Sequence, residues 1–469
     1  MLFVQFANYL YLRNKINIIM RNYNFITSLF LLIGISANAN CPINVVGKDA
    51  MAMGVYIEEI ETGNILVDYQ SKRVYTPASV TKAFTTATAL TTLSEDFKFN
   101  TPVYISGEIV NNTLYGDIIV YGVGDPTIES SHFPKNKGFC DSIIAKIDQL
   151  GIKKIEGKCR VSSKDFNSDC AVNPNWELED IAWDYGTGLH AFNYKDNTFN
   201  LQVSNTIKTS PKVNDITVTE LPTIGSDGID LMRPFNSNEI FIVGDISKKY
   251  GYSNTCSMPF PQDVFVDELT QKLLKRDIIL DNAEIDNANK LTKTLIYTHQ
   301  SPKLIEILQS LMVRSDNLFA ESMLRAVAKG KSLKAAINTE LSLWEKRGLN
   351  TSLITIRDGS GLARTNRLSP IYMASLLKWM YYSKYFDAYL SCFPRSGVNG
   401  TLKSFLKGTR LEGKLAMKTG SMNGVQCYAG YKLDNNSKPT HIVVIMVNHF
   451  FCDRSTLRDA IGKMLLKTF

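Results

Sequence analysis

Alternation of apolar and polar residues sets the first landmark. Val55 and Ile57 before Thr62-Gly63, with Ile65 and Val67 after it, predict a β-hairpin over 54–69. Thr76-Pro77-Ala78-Ser79 then leads into an Ala- and Thr-rich stretch ending near Leu93. Proline is tolerated at the start of a helix, so Ser79 is expected in or just before the first turn. From about Phe97 to Ile296 the pattern changes to short β-like runs. Turn clusters split them, such as Asn111-Asn112, Gly122-Val123-Gly124-Asp125-Pro126 and Gly225-Ser226-Asp227-Gly228. Helical periodicity returns after Ser301-Pro302, where Leu304, Leu308 and Leu311 share a face, and continues over 316–329, 332–347 and 369–382. Two strands follow, 424–433 and 441–447, the second a continuous apolar run and hence fully buried. A closing helix over 454–467 places Leu457, Ile461, Met464 and Leu465 on one face, which favours packing on a sheet over membrane attachment. The pattern predicts an α+β chain. A helix-and-sheet domain is split into 40–96 and 297–469, around a β-rich insertion over 97–296.

Composition narrows the class. A chain of 469 residues exceeds one ordinary core, and 44% hydrophobic with 21% charged residues leaves no room for extensive disorder. Residues 20–40 read as a secretory signal: Met20-Arg21-Asn22 is the positive start, Phe25 to Ile35 the apolar stretch, Ala37-Asn38-Ala39 the cleavage site. Residues 1–39 are then expected to be removed, with Met20 a candidate for the true start, and the mature protein is expected in the periplasm. The formal charge of +7 falls to about +4 without Arg13, Lys15 and Arg21, which gives no argument for nucleic acid. Any membrane contact is expected to be peripheral at most, and a homodimer stays open. Cys140, Cys159, Cys170 and Cys256 allow a disulfide or two in an oxidising compartment, with the pairing open. No C-x-x-C occurs and the five histidines are scattered, so neither a metal nor a cofactor is implied.

Three polar triplets carry the chemistry: Ser79-Val80-Thr81-Lys82, Ser315-Asp316-Asn317 and Lys418-Thr419-Gly420. In this order they form the S-x-x-K, S-D-N, K-T-G set of active-site serine enzymes. A second S-x-x-K at Ser404 to Lys407 and a second S-x-N at Ser421 to Asn423 read as chance, whereas K-T-G occurs once. Three residues apart on a helix, Ser79 and Lys82 share a face. Lys82 can take the serine proton only when neutral, which at pH 7 requires lowering its pKa by roughly three units, through burial and a neighbouring ammonium such as Lys418. Ser315 can relay a proton to a departing amine, and Asn317 can orient Lys82 or a substrate carbonyl. Lys418 and Thr419 can bind a terminal carboxylate, while Gly420 lets substrate approach the backbone. The backbone N–H groups of Ser79 and Ser421 would form the oxyanion hole.

These motifs resemble those of low-molecular-mass penicillin-binding proteins of the D-alanyl-D-alanine carboxypeptidase/endopeptidase type with a large inserted domain. Pro77-Ala78-Ser79, Gly124-Asp125-Pro126-Thr127, Asp358 to Arg364 and Gly397 to Leu402 resemble further signatures, so the likeness covers the mature chain. The resemblance implies a β-lactamase/transpeptidase-like domain, cleavage of D-Ala-D-Ala and D-Ala-diaminopimelate bonds in peptidoglycan stem peptides, and covalent acylation of Ser79 by β-lactams. It also implies that Arg364 and Asp180 hold a diaminopimelate side chain, with Tyr185 and Asn423 as further substrate contacts. A serine β-lactamase fits less well: 236 residues separate Ser79 from Ser315, and no deacylating glutamate is evident. A non-enzymatic wall-binding role would require misalignment of catalytic positions that are all filled.

Overall fold

β-Branched residues dominate the strand Pro439–Asn448, where Val443, Val444, Ile445 and Val447 are buried whichever face they point to. That double-sided burial marks the centre of a sheet. In this computed structural model, which describes residues 41–469 apart from 165, 168–170, 222–228, 245–250 and 282–291, the strand is the middle of a five-stranded antiparallel sheet. Strand order is Leu415–Met422, Val425–Leu433, Pro439–Asn448, Ala52–Glu59, Ile65–Tyr69. The expected hairpin therefore forms, and the third motif lies within an edge strand of its own, ahead of the two strands expected at 424–433 and 441–447. The signal segment, Cys170 and the 225–228 turn cluster fall outside the described residues.

Helices cover the sheet. Thr81–Leu93 is buried almost all round, so its low amphipathicity is no obstacle: it is the central rod of the core. Around it pack Leu304–Arg314, Asn317–Val327, Leu333–Lys346 and Pro370–Tyr381, at the places the periodicity predicts. A short helix, Phe386–Ser391, is additional. The closing helix, Arg454–Thr468, buries the expected Leu457, Ile461, Met464 and Leu465. Among the described residues no helix is long and apolar enough to cross a membrane.

The segment 97–296 builds a second apolar cluster from Val103, Ile143, Phe192, Leu201, Phe265 and neighbours. Its strands form two four-stranded and two three-stranded sheets among the described residues. The Asn111-Asn112 turn joins two of them, both residues with positive φ (50° and 63°) as a tight hairpin demands. Two helices, Phe139–Gln149 and Pro261–Leu274, depart from the expected run of strands. In the first, Ile143, Ile144 and Ile147 carry strand propensity, yet burial of one helical face overrides it. In the second, Pro261 at the first turn and Val264, Phe265, Leu269 and Leu273 on one side have the helical pattern. Cys140, Cys159 and Cys256 are buried unbridged thiols, so the expected disulfides are absent among these three.

The segment is tied to the helical core close to the motifs. Val172, Trp176 and Ile181 pack on Leu362 and Ala363, and Trp176 Nε1 donates to Asp358 Oδ2 at 2.9 Å. Ser322 Oγ donates to the Gly124 carbonyl at 2.6 Å. Residues Val45–Phe469 form one compact unit.

Behind the nucleophile helix, Glu340 is fully buried. Thr88 Oγ1 donates to one carboxyl oxygen at 2.9 Å and accepts from Trp344 Nε1 at 2.8 Å, while the other carboxyl oxygen has no partner. Burial pushes this acid up from 4.5 to about 8. The folded state thus holds the proton more tightly than the unfolded chain; the resulting stability is complete below about pH 4.5 and is lost as pH rises through about 8. Glu340→Gln, neutral throughout, is expected to melt close to wild type at pH 5 and several degrees above it at pH 8.5 in thermal denaturation. Equal melting at both pH values would show that Glu340 carries no such proton.

Candidate active site

The first motif sits on a sharp entry turn. Ala78–Val80 forms a 3₁₀ turn that runs straight into the helix Thr81–Leu93, as expected of Ser79, which stays half-buried while Lys82 goes completely under. Lys82 Nζ lies 2.8 Å from Ser79 Oγ, 2.6 Å from Asn317 Oδ1 and 2.6 Å from the Ser360 carbonyl. Burial is the largest influence and brings the ammonium down from 10.5 to about 8, against the opposing pull of Asp358, Asp316 and Glu321.

The second motif is the joint between two helices. Ser315 closes Leu304–Arg314 in the left-handed conformation (φ 66°), and Asp316 caps Asn317–Val327 by accepting from Phe319 N at 2.9 Å. This abrupt junction aims Ser315 and Asn317 at the same spot. Asn317 Nδ2 donates to the Tyr185 carbonyl at 2.7 Å, which fixes the amide so that its oxygen faces Lys82.

On the edge strand, Lys418 is buried and donates to Ser315 Oγ and to the Thr419 carbonyl, both at 2.8 Å. Burial, then the neighbouring Lys82, holds its pKa well below the usual lysine value. Thr419 Oγ1 donates to Thr401 Oγ1 at 2.7 Å. Gly420 is required by close approach: a Cβ there would stand 2.3 Å from the Pro77 carbonyl oxygen and 3.1 Å from Val80 N.

Between these walls lies a cavity of about 400 Å³, lined among others by Ser79, Ser315, Asn317, Ser421 and Asn423. Asp180, Tyr185 and Arg364 line it too, so the expected substrate contacts converge on the same pocket as the motifs. Burial raises the Asp180 carboxyl above its ordinary value, against the opposing influence of the neighbouring Tyr185 hydroxyl and Arg364. Arg364 Nη2 is 3.1 Å from Glu179 Oε1 and its Nε 3.4 Å from Glu177 Oε1. The duplicate motifs separate cleanly: Ser404 and Lys407 are exposed outside any helix, whereas Ser421 and Asn423 stand at the pocket rim.

Several contributors carry no catalytic pattern of their own. The Ser360 carbonyl is presented to Lys82 by a turn that two buried acids hold. Asp358 accepts from Gly361 N at 2.9 Å, Ala363 N at 2.7 Å and Asn366 Nδ2 at 2.6 Å. Glu321 Oε1 accepts from Gly359 N at 3.0 Å and Ser360 N at 2.8 Å, and burial followed by Asp358 lifts its pKa from 4.5 to about 7. Asp358 belongs to a stretch whose similarity is visible in sequence; Glu321, one acid on an amphipathic helix, gives no such sign. Glu177 and Glu179 flank Asp180 and look like surface charges until Arg364 is seen beside them.

Comparison with known proteins agrees with this geometry. A family model described as D-Ala-D-Ala carboxypeptidase 3 (S13) matches residues 46–467. The chain is 26% identical over 404 residues to the D-alanyl-D-alanine carboxypeptidase DacB of Haemophilus influenzae, covering 81% of this chain and 82% of that one. It is 23% identical over 408 residues to the D-alanyl-D-alanine carboxypeptidase of Actinomadura sp., covering 81% and 74%. In three dimensions the crystal structure of penicillin binding protein 4 (dacB) from Haemophilus influenzae superposes with a TM-score of 0.75 at 23% identity, over 91% of this chain and 97% of that one. With a family match across almost its whole length and a serine–lysine pair at the base of its pocket, the chain belongs to the D-Ala-D-Ala carboxypeptidase 3 (S13) family and is a serine peptidase.

Proposed function

We propose that the chain is a D,D-carboxypeptidase and endopeptidase of peptidoglycan stem peptides that works through an acyl-enzyme on Ser79. The observation that carries this reading is the contact of Lys82 Nζ with Ser79 Oγ at 2.8 Å, in a buried setting that brings the lysine down to about 8. Neutral Lys82 takes the Ser79 proton as Oγ attacks the carbonyl of the penultimate D-Ala. The backbone N–H groups of Ser79 and Ser421 receive the oxyanion, at roughly 3–4 kcal/mol for each donor lost. Ser315, held by Lys418, passes a proton to the departing amine, and Lys418 with Thr419 binds the terminal carboxylate. Water then opens the ester. A β-lactam enters the same sequence, its opened ring amine remaining attached, and so leaves Ser79 acylated.

Asp180, Arg364, Tyr185 and Asn423 form the wall for the stem-peptide side chain, with Arg364 and Asp180 suited to the carboxylate and ammonium of diaminopimelate. We read the chain as periplasmic, exported by its first 39 residues, with the peptidase domain at 40–96 and 297–469 and the insertion at 97–296.

Mass spectrometry after incubation with penicillin is expected to locate a penicilloyl adduct on Ser79; an adduct elsewhere would sink the reading. Lys82→Ala is expected to abolish acylation. In the wild type the acylation rate should climb about tenfold per pH unit up to about pH 8 and then level, as the buried ammonium groups lose a proton together. A flat profile over that range would exclude lysine as the base. Arg364→Ala is expected to raise KM for a diaminopimelate-containing peptide about tenfold while acylation by penicillin changes little. Gly420→Ala forces the edge strand off the Pro77 turn, and acylation is expected to drop by about 10² in stopped-flow measurements.

A further inference from the structure

A second cavity, of about 570 Å³, runs between the 404–409 loop and the helix Arg454–Thr468. Its charge is one-sided. Lys407, Arg454, Arg458 and Lys463 line it against the one carboxylate of Asp459. Lys407 and Lys463 are exposed, and among the described residues neither makes an ion pair. The Arg458 guanidinium lies over the Phe405 ring, 5.7 Å from its centroid, so that it is fixed along the groove wall. The helix also starts here, at Arg454 with Ser455 in its first turn, and its cap residue Asp453 makes no side-chain capping bond. The first-turn N–H groups and the positive end of the helix dipole therefore add to the same field.

Arg454 joins this groove to the active site. Its Nη2 donates to the Met422 carbonyl at 2.6 Å; its Nη1 donates to the Val425 carbonyl at 2.9 Å, to Gln426 Oε1 at 3.0 Å and to Ser421 Oγ. Ser421 and Met422 line the substrate pocket. One guanidinium thus separates a cationic groove from the site of cleavage.

We propose that this groove is a docking subsite for the polymeric substrate, holding the carboxylates of a stem peptide neighbouring the one being cleaved. The inference rests on the peptidoglycan reading above. Charge complementarity decides the occupant: stem peptides are rich in free carboxylates, and a groove with four cations, one acid and an open helix N-terminus selects for them. Its position beside Ser421 and Met422, at the end of the edge strand, places such a strand next to the cleavage site without obstructing it.

The test compares wild type with Lys407→Ala/Lys463→Ala on three probes: fluorescent penicillin, a soluble pentapeptide ending in D-Ala-D-Ala, and glycan strands bearing intact stem peptides. The double variant is expected to match wild type on the first two. On the polymer its KM should rise about fivefold at unchanged kcat. Added salt should raise the polymer KM of wild type more than that of the variant. An equal polymer KM for the two proteins, with the pentapeptide cleaved by both, overturns the groove while leaving the function intact. A wild type that cleaves no pentapeptide overturns the function and the groove with it. Loss of binding to anionic phospholipid vesicles at unchanged polymer KM assigns the groove to lipid headgroups and also overturns the proposal.

Discussion

The site depends on the desolvation of one ammonium group. Lys82 is entirely removed from water, and the protein offers it in return three oxygens: the Ser79 hydroxyl, the Asn317 amide and the Ser360 carbonyl. Neither of the latter two is a carboxylate. The acids nearby, Asp358 and Glu321, are turned instead toward backbone N–H groups of the turn that supplies the carbonyl. An acid bonded directly to Nζ would hold the proton there more firmly. The arrangement thus solvates the lysine enough to fold around it, yet leaves its proton held less tightly than water would hold it.

Everything around that contact is placed by close backbone approach. The helix junction at Ser315 and Asp316 brings the second motif in from one side. The edge strand reaches the Pro77 turn from the other, at a distance only glycine allows. The insertion closes the third side, through Trp176 on Asp358 and the Tyr185 carbonyl on Asn317. It is therefore a structural wall of the site as well as a separate apolar cluster.

The helical and sheet elements were legible because their patterns are long and regular. Leu304, Leu308 and Leu311 mark one helix by period, and the unbroken run at Val443 to Val447 marks the buried strand. The motifs were legible because order and spacing exclude chance. The insertion was less so: Ile143, Ile144 and Ile147 suit a strand by propensity, and only the packing of Phe139–Gln149 against its neighbours makes them helical. Of the supporting acids, Asp358 lies in a recognisable stretch, whereas the others could not be read. Glu321 is one acid among many until the fold puts it under a turn, and Glu177 and Glu179 gain meaning only from Arg364, far away in sequence.

The backbone of Ser315 has a consequence for how this protein can change. A residue with a side chain in the left-handed region carries about 1–2 kcal/mol that glycine would not. The substitution that relieves it also deletes the hydroxyl in contact with Lys418. Selection for heat resistance alone would push this position toward glycine and dissolve the Ser315–Lys418 contact, so local robustness and the geometry of the pocket are opposed at a single codon.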